Sequence, residues 1–224
     1  AEPTLSLGYF QSLSSSQAVG EITGLAGRPG CIVSRDTGGG AIVHDCEVTY
    51  CLTVPQSREA KGHSERYYRA VHGEMVDRLQ HLGYEAALAE AVRAGEECQA
   101  DCKSFLCFDR RSDVDIVVHG QKVLGSAQRR IAGALLQHGS LLLGPSSLAP
   151  HLPGLNAVTA AQESASLWQW TVDFCSVLQS GLEGLEDCRW EYDDLPKEIL
   201  ANAEVIRTTK FESQAWNEKR FARS

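Results

Sequence analysis

Any covalent chemistry in this chain would start from its cysteines, of which there are eight, at positions 31, 46, 51, 98, 102, 107, 175 and 188. The nearest pairs are Cys98/Cys102, Cys102/Cys107 and Cys46/Cys51. None has the two-residue spacing of a dithiol redox centre or a zinc ribbon. His63, His72 and His81 step by nine, which does not stack ligands on one helix face. No resident metal is therefore expected. No charged-then-apolar leader precedes the cysteines, so the expected setting is a reducing cytoplasm with free thiols. Most free thiols are small core hydrophobes, and one beside positive charge becomes a nucleophile.

Three further segments carry chemical potential. The first is Ser34-Arg35-Asp36-Thr37-Gly38-Gly39-Gly40-Ala41-Ile42-Val43-His44. Three consecutive glycines let backbone approach a ligand and aim N–H groups at an anion or a carbonyl oxygen. A plain hairpin turn would use the same residues. A P-loop is excluded because no Gly-Lys-Ser/Thr follows. The second segment is Gly120-Gln121-Lys122-Val123-Leu124-Gly125-Ser126-Ala127-Gln128-Arg129-Arg130. Lys122 follows a tight turn on a strand of small residues, where its ammonium can enter a pocket or stay in solvent. The third, Leu135 to Leu143, holds a His138-Gly139 pair inside an apolar strand. That pair suits a strand lining a cavity, or a satisfied core histidine.

In this order, the three segments resemble the lipoate–protein ligase A, lipoyl/octanoyl transferase and biotin–protein ligase family. TGGGAIVH is similar to the family's Arg-Arg-x-Thr-Gly-Gly-Gly-x-x-x-His stretch. GQKVLGSAQRR is similar to its lysine motif and LLQHGSLLL to its His-Gly-Ser/Thr-Leu-Leu strand. Phe211-Glu212-Ser213-Gln214-Ala215-Trp216-Asn217 resembles its C-terminal Tyr-x-Ser-x-x-Trp-Asn segment. The Gly-Ser-Ala-Gln pattern and the Cys107-Phe108 pair upstream resemble the cysteine-dependent octanoyltransferase branch most. There are two departures. Ser34 replaces the first arginine of the Arg-Arg pair. The family also begins with a strand and a long helix before the segment matching TLSLGYFQ, so the resemblance implies that these two elements are missing.

The resemblance implies an activity. An octanoyl group moves from acyl carrier protein to a lysine of a lipoyl-domain or glycine cleavage H-type acceptor protein. Cys107 is the acyl-accepting nucleophile and Lys122 the second catalytic residue; Cys102 is the nearest rival to Cys107. Lys122, or a nearby histidine, would supply positive charge to the thiolate and stabilise the oxyanion. Arg35, Gly38, Gly39, Gly40, His44, Gly125, Ser126, Ala127, His138 and Gly139 would bind substrate. Ile42, Val123, Leu124 and Leu136 are expected as apolar walls. The partners are acidic, so Arg110, Arg111, Arg129 and Arg130 are expected to form a docking patch. No cofactor is required. An ATP-dependent lipoate–protein ligase, using ATP and lipoate, is the alternative. A lipoyl amidotransferase and a non-catalytic acyl-binding scaffold on the same fold also stay open.

The elements that would position these residues follow from periodicity. The 224 residues carry 21 Lys+Arg against 29 Asp+Glu, a formal charge of −8. That acidity excludes a dedicated nucleic-acid binder, and no apolar run has the length of a membrane span. Strands are predicted at 4–10, 31–34, 41–44, 48–54, 114–118, 122–127 and within 135–143. Helices are predicted over 17–23, from Ser64 to about Leu82, over 86–93 and 167–181, and after Pro196. Tyr68, Val71, Met75, Leu79 and Leu82 are read as the buried face of the long helix. The expected class is α+β: a mixed, largely antiparallel sheet flanked by helices. The whole of 1–224 is read as one catalytic domain, with 158–224 as its helical C-terminal segment.

Overall fold

The computed structural model describes residues 3–12, 22, 24–27, 29–55, 64–92, 104–131, 133–152, 154–155, 194–213 and 215–216. The fold is α+β, with the strands sorted into two sheets. The smaller is three-stranded and mixed. β1 (Thr4–Leu7) lies in its centre, parallel to β2 (Cys31–Ser34) and antiparallel to β3 (Ile42–His44). The larger is wholly antiparallel, in the order β4 (Glu47–Pro55), β8 (Ala134–Leu142), β7 (Gln121–Ile131), β6 (Ile116–Val118), β5 (Ala86–Leu88).

The β6–β7 hairpin turns on His119 and Gly120, whose φ angles are 48° and 73°. Two consecutive positive φ values make the primed turn that matches strand twist, and glycine takes the second without steric cost. A register shift between Ile116 and Val117 then re-aims β6 against β7 just beside Lys122.

Helix α1 (Ser64–His81) buries Tyr67, Val71, Met75, Val76 and Leu79 against β6, β7 and β8. Tyr67 replaces the predicted Tyr68 on the inner face: Tyr67 is buried, and Tyr68 is half-buried at the edge of that face beside His72. Leu82 lies beyond the helix and is 48% exposed. Gly83, at φ 90°, follows the helix in the left-handed conformation that ends it. The helix predicted over 86–93 splits. Ala86–Leu88 pairs with β6, and only Ala89–Val92, called α2, is helical. Edge pairing outcompetes helix propensity for those three residues.

A second apolar cluster joins Leu5 and Leu7 of β1, Ile42 and Val43 of β3, and Phe105, Leu106 and Phe108 of the segment before β6. It fastens the cysteine segment to the small sheet. Helix α3 (Lys197–Ile206) starts after Pro196 as predicted and continues as a π-helical turn, Arg207–Phe211. Its apolar residues Val205 and Ile206 are 57% and 50% exposed. The helices predicted over 17–23 (apart from residue 22) and 167–181 lie outside the described residues, as do Cys98, Cys102, Cys175 and Cys188.

Candidate active site

Cys107 opens a short 3₁₀ turn, Cys107–Asp109. Its backbone is tied to the glycine segment on both sides. Ala41 N–H donates to the Phe105 carbonyl at 2.8 Å, and Cys107 N–H donates to the Ala41 carbonyl at 2.8 Å. A Cβ at Gly40 would sit 2.7 Å from Cys107 N and 2.9 Å from its Cα. Gly40 therefore exists for the close approach of the cysteine backbone, rather than of a ligand.

Lys122 reaches the same point from β7. Its Nζ donates to the Cys107 carbonyl at 3.1 Å and the Arg110 carbonyl at 3.1 Å, and lies 3.9 Å from Cys107 Sγ. The charge is balanced by Asp115, whose Oδ2 is 2.9 Å away. Both residues are buried, Lys122 at 7% and Asp115 at 4% exposure. Gly125 makes room for this lysine, since a Cβ there would lie 2.6 Å from Lys122 Cε.

A cavity of about 20 Å³ opens beside the sulfur, lined by Arg35, Gly38, Gly39, Ile42, Cys107, Gly125, Ser126, Ala127, His138 and Gly139. Ten residues from four distant stretches of the sequence thus meet at one place. Arg35 donates to the carbonyls of Ser6, Gly38 and Gly40, at 2.7, 3.0 and 2.6 Å. Burial pulls its guanidinium down to about 10, against the favourable influence of Cys107. At neutral pH it remains a cation. His138 Nε2 lies 2.6 Å from Thr37 Oγ1. Burial, with the Arg35 and His44 charges, drops the imidazole to about 4. The expected positive field from a histidine therefore falls instead to Lys122 and Arg35.

The remaining predicted residues lie elsewhere. His44 does not line the cavity and is paired with Glu47. Of the expected walls only Ile42 lines it, because Val123 and Leu124 turn into the α1 core. None of the four arginines lines it either. Arg110 Nε donates to the Ser104 carbonyl at 2.5 Å, and Arg111 donates to the Gly120 carbonyl. Arg129 is engaged by Asp36 at 2.7 Å, and Arg130 is exposed.

Sequence reasoning missed a buried polar chain under the site. Gln128 Nε2 donates to Gln137 Oε1 at 2.7 Å, and Gln137 Nε2 donates to Tyr50 Oη at 2.8 Å. Tyr50 Oη is 2.6 Å from Ser126 Oγ, and Ser126 Oγ is 2.7 Å from His72 Nε2. His72 Nδ1 lies 2.5 Å from the Val114 carbonyl. His72 and Gln137 are completely buried. Burial holds His72 below its ordinary range and Tyr50 up at about 12, so both are neutral at pH 7.

The lipoyl protein ligase A/B catalytic domain profile matches residues 1–179. The chain belongs to that family. Similar curated proteins include an octanoyltransferase LipM of Kyrpidia tusciae, 40% identical over 142 residues, which cover 63% of this chain and 51% of that protein. LipM of Bacillus subtilis is 30% identical over 238 residues, covering 97% of this chain and 83% of the relative. The match spans about half the length of the first of these proteins. Among solved structures, a Thermoplasma acidophilum lipoate protein ligase with bound lipoic acid superposes with TM-score 0.65 at 17% identity, covering 97% of this chain and 83% of that one. A lipoate-protein ligase A bound with ATP gives TM-score 0.64 at 17% identity, covering 96% and 82%. These likenesses place the two-sheet architecture in the lipoate-protein ligase fold. Among the described residues no helix is long and apolar enough to cross a membrane.

Proposed function

We propose that this member of the lipoyl protein ligase A/B family is an octanoyltransferase of protein lipoylation, working through an octanoyl thioester on Cys107. The observation that carries the reading is the buried Lys122 ammonium 3.9 Å from Cys107 Sγ. A thiolate needs positive surroundings to persist as a nucleophile, and Lys122 and Arg35 supply two fixed cations. The octanoyl donor is acyl carrier protein, and the acceptor is a lysine of a lipoyl domain or glycine cleavage H-type protein. The curated relatives named octanoyltransferase support this choice.

In the first step the Cys107 thiolate attacks the donor thioester carbon and the donor thiolate leaves. Lys122, whose three protons are held by the Cys107 and Arg110 carbonyls and Asp115, lends its positive charge to the developing oxyanion through space. Gly38 and Gly39 line the same cavity as Cys107. In the second step a lysine amine displaces Cys107. Thioester exchange is nearly balanced and amide formation is downhill, so neither ATP nor another cofactor is needed. Arg35 is consistent with this economy, because its donors hold the glycine loop rather than reach outward for a nucleotide.

The test is mass spectrometry after incubation with octanoyl-acyl carrier protein. A hydroxylamine-labile octanoyl adduct on Cys107 is expected. Absence of an adduct, or an adduct on Cys102, overturns the assignment.

A further inference from the structure

The inference rests on the transferase reading above and concerns its second step. Ser126 lines two cavities at once. One is the small space beside Cys107; the other, of about 430 Å³, is lined by Glu65, Tyr68, Ser112, Asp113, Val114 and Ser126. No other described residue lines both.

The hydrogen-bond chain fixes which way Ser126 points its proton. A carbonyl only accepts, so His72 Nδ1 carries a hydrogen for Val114. Neutral His72 then offers Nε2 as an acceptor, and the Ser126 hydroxyl donates to it at 2.7 Å. The 2.7 Å contact outcompetes Tyr50 Oη, which lies 3.5 Å from the same nitrogen, so Ser126 Oγ accepts from Tyr50, which itself accepts from Gln137. Ser126 has one proton and two lone pairs. The proton goes to His72, one lone pair to Tyr50, and the other is left for the cavities.

The geometry points to Ser126 as the hydrogen-bond acceptor that orients a primary amine, the acceptor lysine, as it arrives through the larger cavity. A lone pair selects an N–H donor and disfavours an oxyanion, so this contact belongs to the nucleophile and not to the thioester oxygen. Asp113 makes the entry favourable for a cation, and Glu65 adds to it although Arg69 lies 2.9 Å from its carboxylate. The ammonium gives one proton to solvent in the cavity. Its nitrogen lone pair forms the C–N bond at the thioester carbon, the C–S bond breaks, and the second proton ends on the Cys107 sulfur. Tyr50, His72 and Gln137 are positioning residues, acting only through Ser126.

Two single-turnover steps separate this site from the reading beneath it. Octanoylation of Cys107 by octanoyl-acyl carrier protein is the first. Transfer from the isolated octanoyl enzyme to an apo lipoyl domain, or to butylamine, is the second. Ser126→Ala should slow transfer at least tenfold more than it slows acylation. Tyr50→Phe should act in the same direction and more weakly. Glu65→Gln/Asp113→Asn, two surface changes that leave the chain intact, should raise the half-saturating amine concentration several-fold while the limiting transfer rate holds. Equal slowing of both steps by Ser126→Ala, or an unmoved half-saturation in the double variant, overturns the amine site while acyl-Cys107 still forms. Failure of the wild type to form acyl-Cys107 overturns the transferase reading and this site with it.

Discussion

Lys122 Nζ and Asp115 Oδ2 form a 2.9 Å ion pair from which water is almost wholly excluded. The pair joins two residues that straddle the β6–β7 hairpin, and it sets the distance of the ammonium from Cys107. Removing one partner of a buried pair strands the other charge, at about 3–5 kcal/mol. Asp115→Ala is therefore expected to destabilise the fold by roughly that amount and to abolish acyl-Cys107 formation. Asp115→Ala/Lys122→Met removes both charges and should regain most of the stability in chemical denaturation. It should not regain acylation, which separates the structural part of the pair from its chemistry.

Gly125 is a second constraint on the same lysine. The Cβ of an alanine would press on Lys122 Cε at 2.6 Å and Nζ at 2.9 Å. The side chain is flexible in itself, but three hydrogen-bonding partners hold its tip. Gly125→Ala is expected to cost about 1–3 kcal/mol, the range for overpacking, and to slow acylation by at least a hundredfold. Stopped-flow acylation beside a denaturation curve measures both; an acylation rate within threefold of wild type would contradict the packing argument.

Much of this site is legible in the residue types. Gly38, Gly39, Gly125 and Gly139 are spaced for close approach, and Lys122 follows a turn that glycine makes possible. The partners of these residues are not legible. Asp115 stands just before β6 and meets Lys122 across the β6–β7 hairpin, a pairing that residue types alone do not announce. His72 sits on the buried row of α1 with Tyr68 as neighbour, and reads as one more core position. Its contact with Ser126 spans 54 residues. The split of the 86–93 segment has the same origin, since edge pairing is a tertiary event. The placement of the arginines is not legible for a related reason: Arg129 is held by Asp36 across 93 residues, and only the fold brings the two together.

Acid should weaken this fold before its carboxylates titrate. The ordinary imidazole value is 6.5, and His138 in the folded protein is held at about 4. Between these values the unfolded chain binds a proton that the folded chain refuses. Stability therefore falls as pH falls from 6.5 towards 4, and this contribution is fully present above 6.5. His72 acts in the same direction. His138→Gln should flatten the slope of unfolding free energy between pH 6.5 and 5. An unchanged slope would mean that His138 is not held neutral.

The C-terminal segment provides the last expectation. Asp36 accepts from Arg129 Nη1 at 2.7 Å and also from the Lys210 ammonium, while only 13% of its side chain is exposed. Trp216 Nε1 donates to the Ser34 carbonyl at 3.0 Å, and Lys210 Nζ lies 4.4 Å from the Trp216 ring centroid. Residues on both sides of Arg35 are thus pinned by one short stretch of chain. Lys210 is itself 37% exposed, so its pair is partly screened. Lys210→Met is expected to cost about 0.5–1 kcal/mol at low salt, with the cost shrinking in 1 M salt. Trp216→Phe keeps the ring and loses the indole donor, at about 1 kcal/mol, with little salt dependence. The two losses should fall short of additivity when combined, because the ammonium and the indole share one packed contact. Denaturation of the two single variants and the double at both salt concentrations measures this, and strict additivity with equal salt response would show that the two anchors act independently.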